Sequence, residues 1–141
     1  MQIMLEKRKG IPSFKGKYIS KHNEMFRYDS LSELAMMLYL DNVATNVLKW
    51  HKNTKLRIPY VYEGKERKYI PDFIVEFKEV TKIIEIKGSD DKPELRYKIM
   101  AGNKYCLEHN IQYELIAWDK VKTLVDWTSV KTYHNINNRS F

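Results

Sequence analysis

An α/β fold is predicted, with a mixed central sheet flanked by helices, and three observations lead to it. Apolar periodicity switches between the helical and the strand pattern along the chain. The predicted order is helix, three-strand meander, helix, strand, helix, which packs most naturally as helices on the faces of one sheet. Hydrophobic residues make up 43% of the 141, enough to bury a core in a single domain.

Residues 1–28 show neither period and read as a basic arm. They carry Lys7, Arg8, Lys9, Lys15, Lys17, Lys21 and Arg27 against Glu6 and Glu24, so most of the net charge of +7 lies there. Phe14, Tyr18, Phe26 and Tyr28 are interleaved with these cations. Such a segment suits a polyanion, with cations on phosphates and rings free to stack. The plain alternative is a solubilising tail.

The domain proper is expected over residues 29–128. The first helix is "DSLSELAMMLYLDN", capped by Asp29 or Ser30, with Leu31, Leu34, Ala35, Leu38 and Tyr39 at helical spacing. "NVLKW" and "KLRIPYVY" are strand material, and Glu63-Gly64-Lys65 turns the chain into "RKYIPDFIVEF". A short turn leads into "KIIEIKG", completing the expected meander. Pro93 suits the first turn of the helix "PELRYKIMAGNKYCLEHN", where Gly102 marks a close approach to the sheet or a weak point. "IQYELIAW" should pair parallel with "KIIEIKG" through a right-handed crossover. "DKVKTLVDW" reads as a short helix capped by Asp119, and residues 129–141 as a polar, frayed tail.

Several function classes are disfavoured. Cys106 is the single cysteine, so no internal disulfide forms, and four scattered histidines lack zinc-ligand spacing. No apolar run reaches the length of a membrane span, and "MQIMLEKRKG" lacks the apolar centre of a secretory signal. A cytoplasmic protein without a structural metal is expected.

The chemistry concentrates in "PDFIVEF" and "KIIEIKG". Side chains alternate along a strand, so Asp72, Ile74 and Glu76 share one face, as do Glu85 and Lys87. On neighbouring strands Asp72 and Glu85 would stand close together, a repulsion that a divalent cation offsets. Mg²⁺ accepts few carboxylates, several waters and a phosphate oxygen, and Lys87 could orient a water beside it. Acid–lysine alternation on a strand is also what an ordinary solvated face looks like. Glu76 reads as such a strand end, and Lys98 and Lys104 as solvated helix lysines.

"IPDFIVEF…IIEIKG" resembles the core motif of the PD-(D/E)XK nuclease superfamily, with Asp72, Glu85 and Lys87 at its three positions. The string from "SELAMMLYLDN" to "IPDFIVEF" is similar to a narrower set: endonuclease domains of Type III-like restriction systems, phage head-completion nucleases and transposase cutting subunits. The resemblance spans roughly residues 25–118 and implies a restriction-endonuclease-like core. It implies that Asp72 and Glu85 hold Mg²⁺, with Mn²⁺ able to substitute, and that the Ile86 carbonyl is a further ligand. Lys87 would position the attacking water, and Glu33 would hold a second metal or a water. Glu33 also completes a capping box with Ser30, a structural reason for its presence. The implied function is a DNA endonuclease from a phage or mobile element, and cutting both strands calls for a homodimer or repeated nicking. The competing class is a non-catalytic nucleic-acid-binding or virion-assembly protein on the same fold.

Overall fold

The computed structural model describes residues 14–89 and 92–137. The chain enters through a hairpin, β1 (Gly16–Ile19) and β2 (Met25–Tyr28), followed by helix α1 (Leu31–Asn42). Strand β3 (Val47–Lys52) precedes a second hairpin, β4 (Ile58–Tyr62) and β5 (Lys65–Tyr69), then β6 (Phe73–Phe77) and β7 (Thr81–Lys87). Helix α2 (Pro93–Glu108) leads to β8 (Gln112–Ala117), the short α3 (Trp118–Val121) and α4 (Trp127–Asn137).

The central sheet has the order β3-β6-β7-β8, with β8 parallel to β7 and the other pairs antiparallel. The expected crossover strand is therefore present. The expected meander is corrected in one respect, because among the described residues "KLRIPYVY" and "RKY" pair only with each other. "RKYIPDFIVEF" is two strands rather than one, broken at Pro71-Asp72. Proline has no N–H to give to a ladder, so the break falls where pairing costs least. The second hairpin turns at Glu63 and Gly64 with φ of 51° and 74°, the doubly left-handed turn that matches strand twist.

Alternation along the strands sends side chains into two cores. Phe73, Val75 and Ile84 join α1, Trp50, Tyr18, Tyr28, Val121 and Val130 on one face. Ile83, Ile58, Tyr69 and Cys106 form the other beneath α2 and the second hairpin. Helix α1 is buried on more than one stripe, at Leu34, Ala35, Met36, Met37 and Leu40. Ser30 is its cap, accepting from the Glu33 N–H at 3.1 Å.

Residues 16–28 are not irregular. Tyr18 and Tyr28 are core residues, and the Tyr18 hydroxyl and the Lys21 N–H both donate to Asp41 at the end of α1. The Trp50 indole donates to the same carboxylate at 2.7 Å, tying the hairpin to β3. The polar tail is likewise corrected to a helix through Asn137, anchored by buried Val130 and His134. Its start is held by Asp126, which accepts from Thr128 N–H and Ser129 Oγ. Asp119 does not cap α3; it lies inside the first turn.

Gly102 is a site of close approach. A Cβ there would sit 2.5 Å from Cε1 of Tyr113 on β8. Gly102→Ala should therefore push that ring away and disturb the 2.8 Å bond between the Tyr113 and Tyr69 hydroxyls. The expected loss is about 1–3 kcal/mol, read by denaturant unfolding; a gain in stability, as at an ordinary helical glycine, would refute the close contact.

Candidate active site

The β6–β7 ladder stops where its acids begin. Phe73 pairs with Ile84, and beyond it side chains replace the backbone. The Ile86 N–H donates to Asp72 Oδ2 at 2.8 Å, while the Asp72 N–H donates to Glu85 Oε1 at 3.1 Å. Each carboxylate thus takes a main-chain donor from the other's strand, and the two acids are locked side by side. On the far side the Asp72 carbonyl accepts from Asn53 N–H at 2.8 Å. The buried Asn53 side chain donates to the Pro71 and Leu56 carbonyls and accepts from the Leu56 N–H. Asn53 therefore fixes the Pro71-Asp72 corner.

The proton affinities of both acids are raised. Burial is the largest cause for each; the Asp72 charge adds to it at Glu85, and the Glu33 charge adds to it at Asp72. Hydrogen bonds from the main chain, and the Tyr69 hydroxyl beside Glu85, act in the opposite direction. A partly buried pair of this kind is a costly place for two negative charges without a cation.

Glu33, Asp72, Glu85 and Ile86 line one cleft of about 340 Å³, together with Ser30, Gly88 and Trp118. Within it Glu33 is turned toward β3: its Oε1 accepts from Lys52 Nζ at 2.7 Å and from the Asp29 N–H at 2.9 Å. Among the described residues no three His, Cys, Asp or Glu side chains converge as a metal-binding group. The Asp72–Glu85 pair alone still fits Mg²⁺, which takes one or two carboxylates and fills its shell with water. Lys87, two residues beyond Glu85, lines a separate cavity of about 620 Å³ with Lys92, Arg96 and Tyr97. Glu76 is exposed at the outer end of β6.

Of the predicted arm cations, Lys7, Arg8 and Lys9 lie outside the described residues. Lys15, Lys17 and Arg27 border a cavity at the first hairpin, and Lys21 sits in its turn region. The sequence reading missed Lys52, Asn53, Tyr69 and Trp118. Lys52 carried a signal: it follows buried Trp50 by two residues, so strand alternation aims a lysine at the α1 face. Lys98, read as a solvated helix lysine, places its charge near enough to Glu85 to favour ionisation.

A mixed sheet with helices on both faces, carrying two acids at the broken end of its central strand pair, defines a nuclease-like domain of the restriction-endonuclease-like class. Residues 44–117, just over half of the chain, match the family described as TnsA-like endonuclease N terminal. The chain belongs to that family. The match runs from just before β3 to the end of β8; it contains Asp72, Glu85 and Lys87 and leaves α1 with Glu33 outside. A search of curated proteins returned no significant match. No helix among the described residues is long and apolar enough to cross a membrane.

Proposed function

We propose that this protein is a divalent-metal-dependent DNA endonuclease that hydrolyses phosphodiester bonds, encoded by a mobile element or phage. The observation that carries the reading is the interlocked Asp72–Glu85 pair, whose raised proton affinities a cation would relieve. Asp72 and Glu85, with the Ile86 carbonyl, would hold Mg²⁺ or Mn²⁺. When bound, such an ion supplies charge to the phosphate oxygens and acidifies nearby water.

The remaining roles belong to the chain. Asn53 and the two main-chain bonds keep the acids in register, so little reorganisation is needed when substrate arrives. Lys87, two residues beyond Glu85 on β7, would orient the attacking water; the water oxygen bonds to phosphorus as one P–O ester bond breaks, and the departing oxygen takes up the proton that water gives up. Glu33 would accept hydrogen bonds from water entering the cleft. Trp118, which lines the cleft and is partly exposed, would offer a base a stacking surface. Lys15, Lys17, Lys21 and Arg27, on a hairpin anchored to the core, would grip phosphates together with Lys7, Arg8 and Lys9. Family membership favours the cutting of mobile-element ends over virion assembly, and two-strand cutting would use two copies of the chain.

The test is incubation with supercoiled, linear and branched DNA in Mg²⁺, Mn²⁺ or EDTA, beside Lys87→Ala. Cleavage that requires metal and is lost in the variant supports the proposal. Salt-sensitive DNA binding without any metal-dependent product would instead establish the non-catalytic reading.

A further inference from the structure

Lys52 is a cation built into an acidic site. It ends β3, and its side chain is only 16% exposed, against 17% for Glu33. Its Nζ lies 2.7 Å from Glu33 Oε1 and 3.5 Å from Asp29 Oδ2. The same charge reaches Asp72 and favours that group's ionised form. An ion pair this well covered holds its partners firmly, because removing either one strands a charge away from water.

The pairing explains an otherwise odd arrangement. Glu33, Asp72 and Glu85 line one cleft, yet they do not converge as a three-ligand set. Glu33 is drawn toward β3 by Lys52 and by the Asp29 N–H, which share its Oε1. Of the three acids that line the cleft, Glu33 is neutralised by Lys52, which leaves Asp72 and Glu85, whose two charges a single divalent ion balances. Without the ammonium, the excess would favour a second ion between Glu33 and Asp72.

Building on the proposed metal role of Asp72 and Glu85, we infer that Lys52 stands in for a second divalent ion and restricts this site to one. Lys52 is thus a positioning residue that acts through Glu33, and it sets metal stoichiometry rather than touching the scissile bond.

The test is Mn²⁺ binding to the whole protein without DNA, counted by electron paramagnetic resonance and titration calorimetry, with thermal melts reporting folding. Wild type and Lys52→Arg should each bind one ion, and Lys52→Met two. Glu33→Gln, which leaves the Lys52 charge in place and unpaired, should bind no second ion and should bind the first more weakly than wild type. Two ions in wild type, one in folded Lys52→Met, or two in Glu33→Gln would each overturn the inference while leaving metal binding intact. No ion in wild type would overturn the metal reading of Asp72 and Glu85 itself, and this inference with it. Should Lys52→Met fail to fold, Lys52→Gln, which is uncharged but can still donate to Glu33, makes the same count: two ions support the inference and one overturns it.

Discussion

Asp72→Asn is expected to abolish cleavage and, at the same time, to make the metal-free protein harder to unfold. Asn retains an oxygen that can accept the 2.8 Å bond from the Ile86 N–H, so the β6–β7 corner keeps its geometry. What disappears is a negative charge held against burial and the nearby charges of Glu33 and Glu85. Relief of that burden should be worth on the order of 1–2 kcal/mol, or several degrees in melting temperature for a domain of this size. Activity should fall by more than about a hundredfold, since even partners one step removed from a metal cost up to that much. Plasmid nicking and a thermal melt on the same preparation check both halves. A purely structural aspartate would give the opposite pairing, with stability lost and any activity falling only in proportion.

The second large effect is a dependence of stability on pH that metal reverses. Asp72 and Glu85 have proton affinities above the ordinary carboxylate range in the folded state, so the fold retains protons that the unfolded chain releases. Their contribution is fully present below about pH 4, the unfolded value, and is lost as pH rises through the raised folded values toward neutrality and beyond. Metal-free wild type should therefore lose stability relative to Glu85→Gln over that window, by on the order of 2 kcal/mol. In the proposed metal role Mg²⁺ would compete with protons for the same oxygens, so its stabilisation should be larger at pH 8 than at pH 5.5. Melting curves of both proteins across pH, with Mg²⁺ and with EDTA, check this; parallel profiles for wild type and variant would contradict it.

The acids were readable in the sequence because two local rules act on them without tertiary help. Strand alternation sets the faces of Asp72 and Glu85, and a proline at the strand end frees the chain to break there. The crossover from β7 through α2 to β8 was equally legible, since a long helix between two strands leaves few packings. What escaped notice was decided by long-range contacts. "GKYI" and "MFRY" are too short and too basic to display a period, and only Asp41 and the α1 core make them strands. "KLRIPYVY" looks like a sheet strand because it is one; nothing local reveals that its partner is β5 and not the central sheet. In residues 127–137 the apolar stripe, Trp127, Val130 and Tyr133, is short and set among polar residues, and packing of that stripe on the first core holds the helix in place. Lys52 escapes a local reading because strand lysines are usually solvated, although its parity with Trp50 points inward.

The second hairpin has a consequence for how this scaffold can diversify. The chain leaves the sheet at Asn53 and returns at Pro71, and the Asn53 side chain ties those two points together at 3.1 Å. Everything between is an excursion with a sealed base. Its inner ends, Ile58 and Tyr69, are committed to the core beneath α2, but the turn at Glu63-Gly64 is not. Extra residues grafted at that tip would add loop entropy only logarithmically, about 0.6 kcal/mol per doubling of length. The strand pair carrying the acids would not register the change. New DNA-contacting or partner-contacting segments can thus be acquired beside the first turns of α2, where Tyr62 packs on Tyr97 and Arg67 pairs with Glu94, while the strands that carry the acids stay in register.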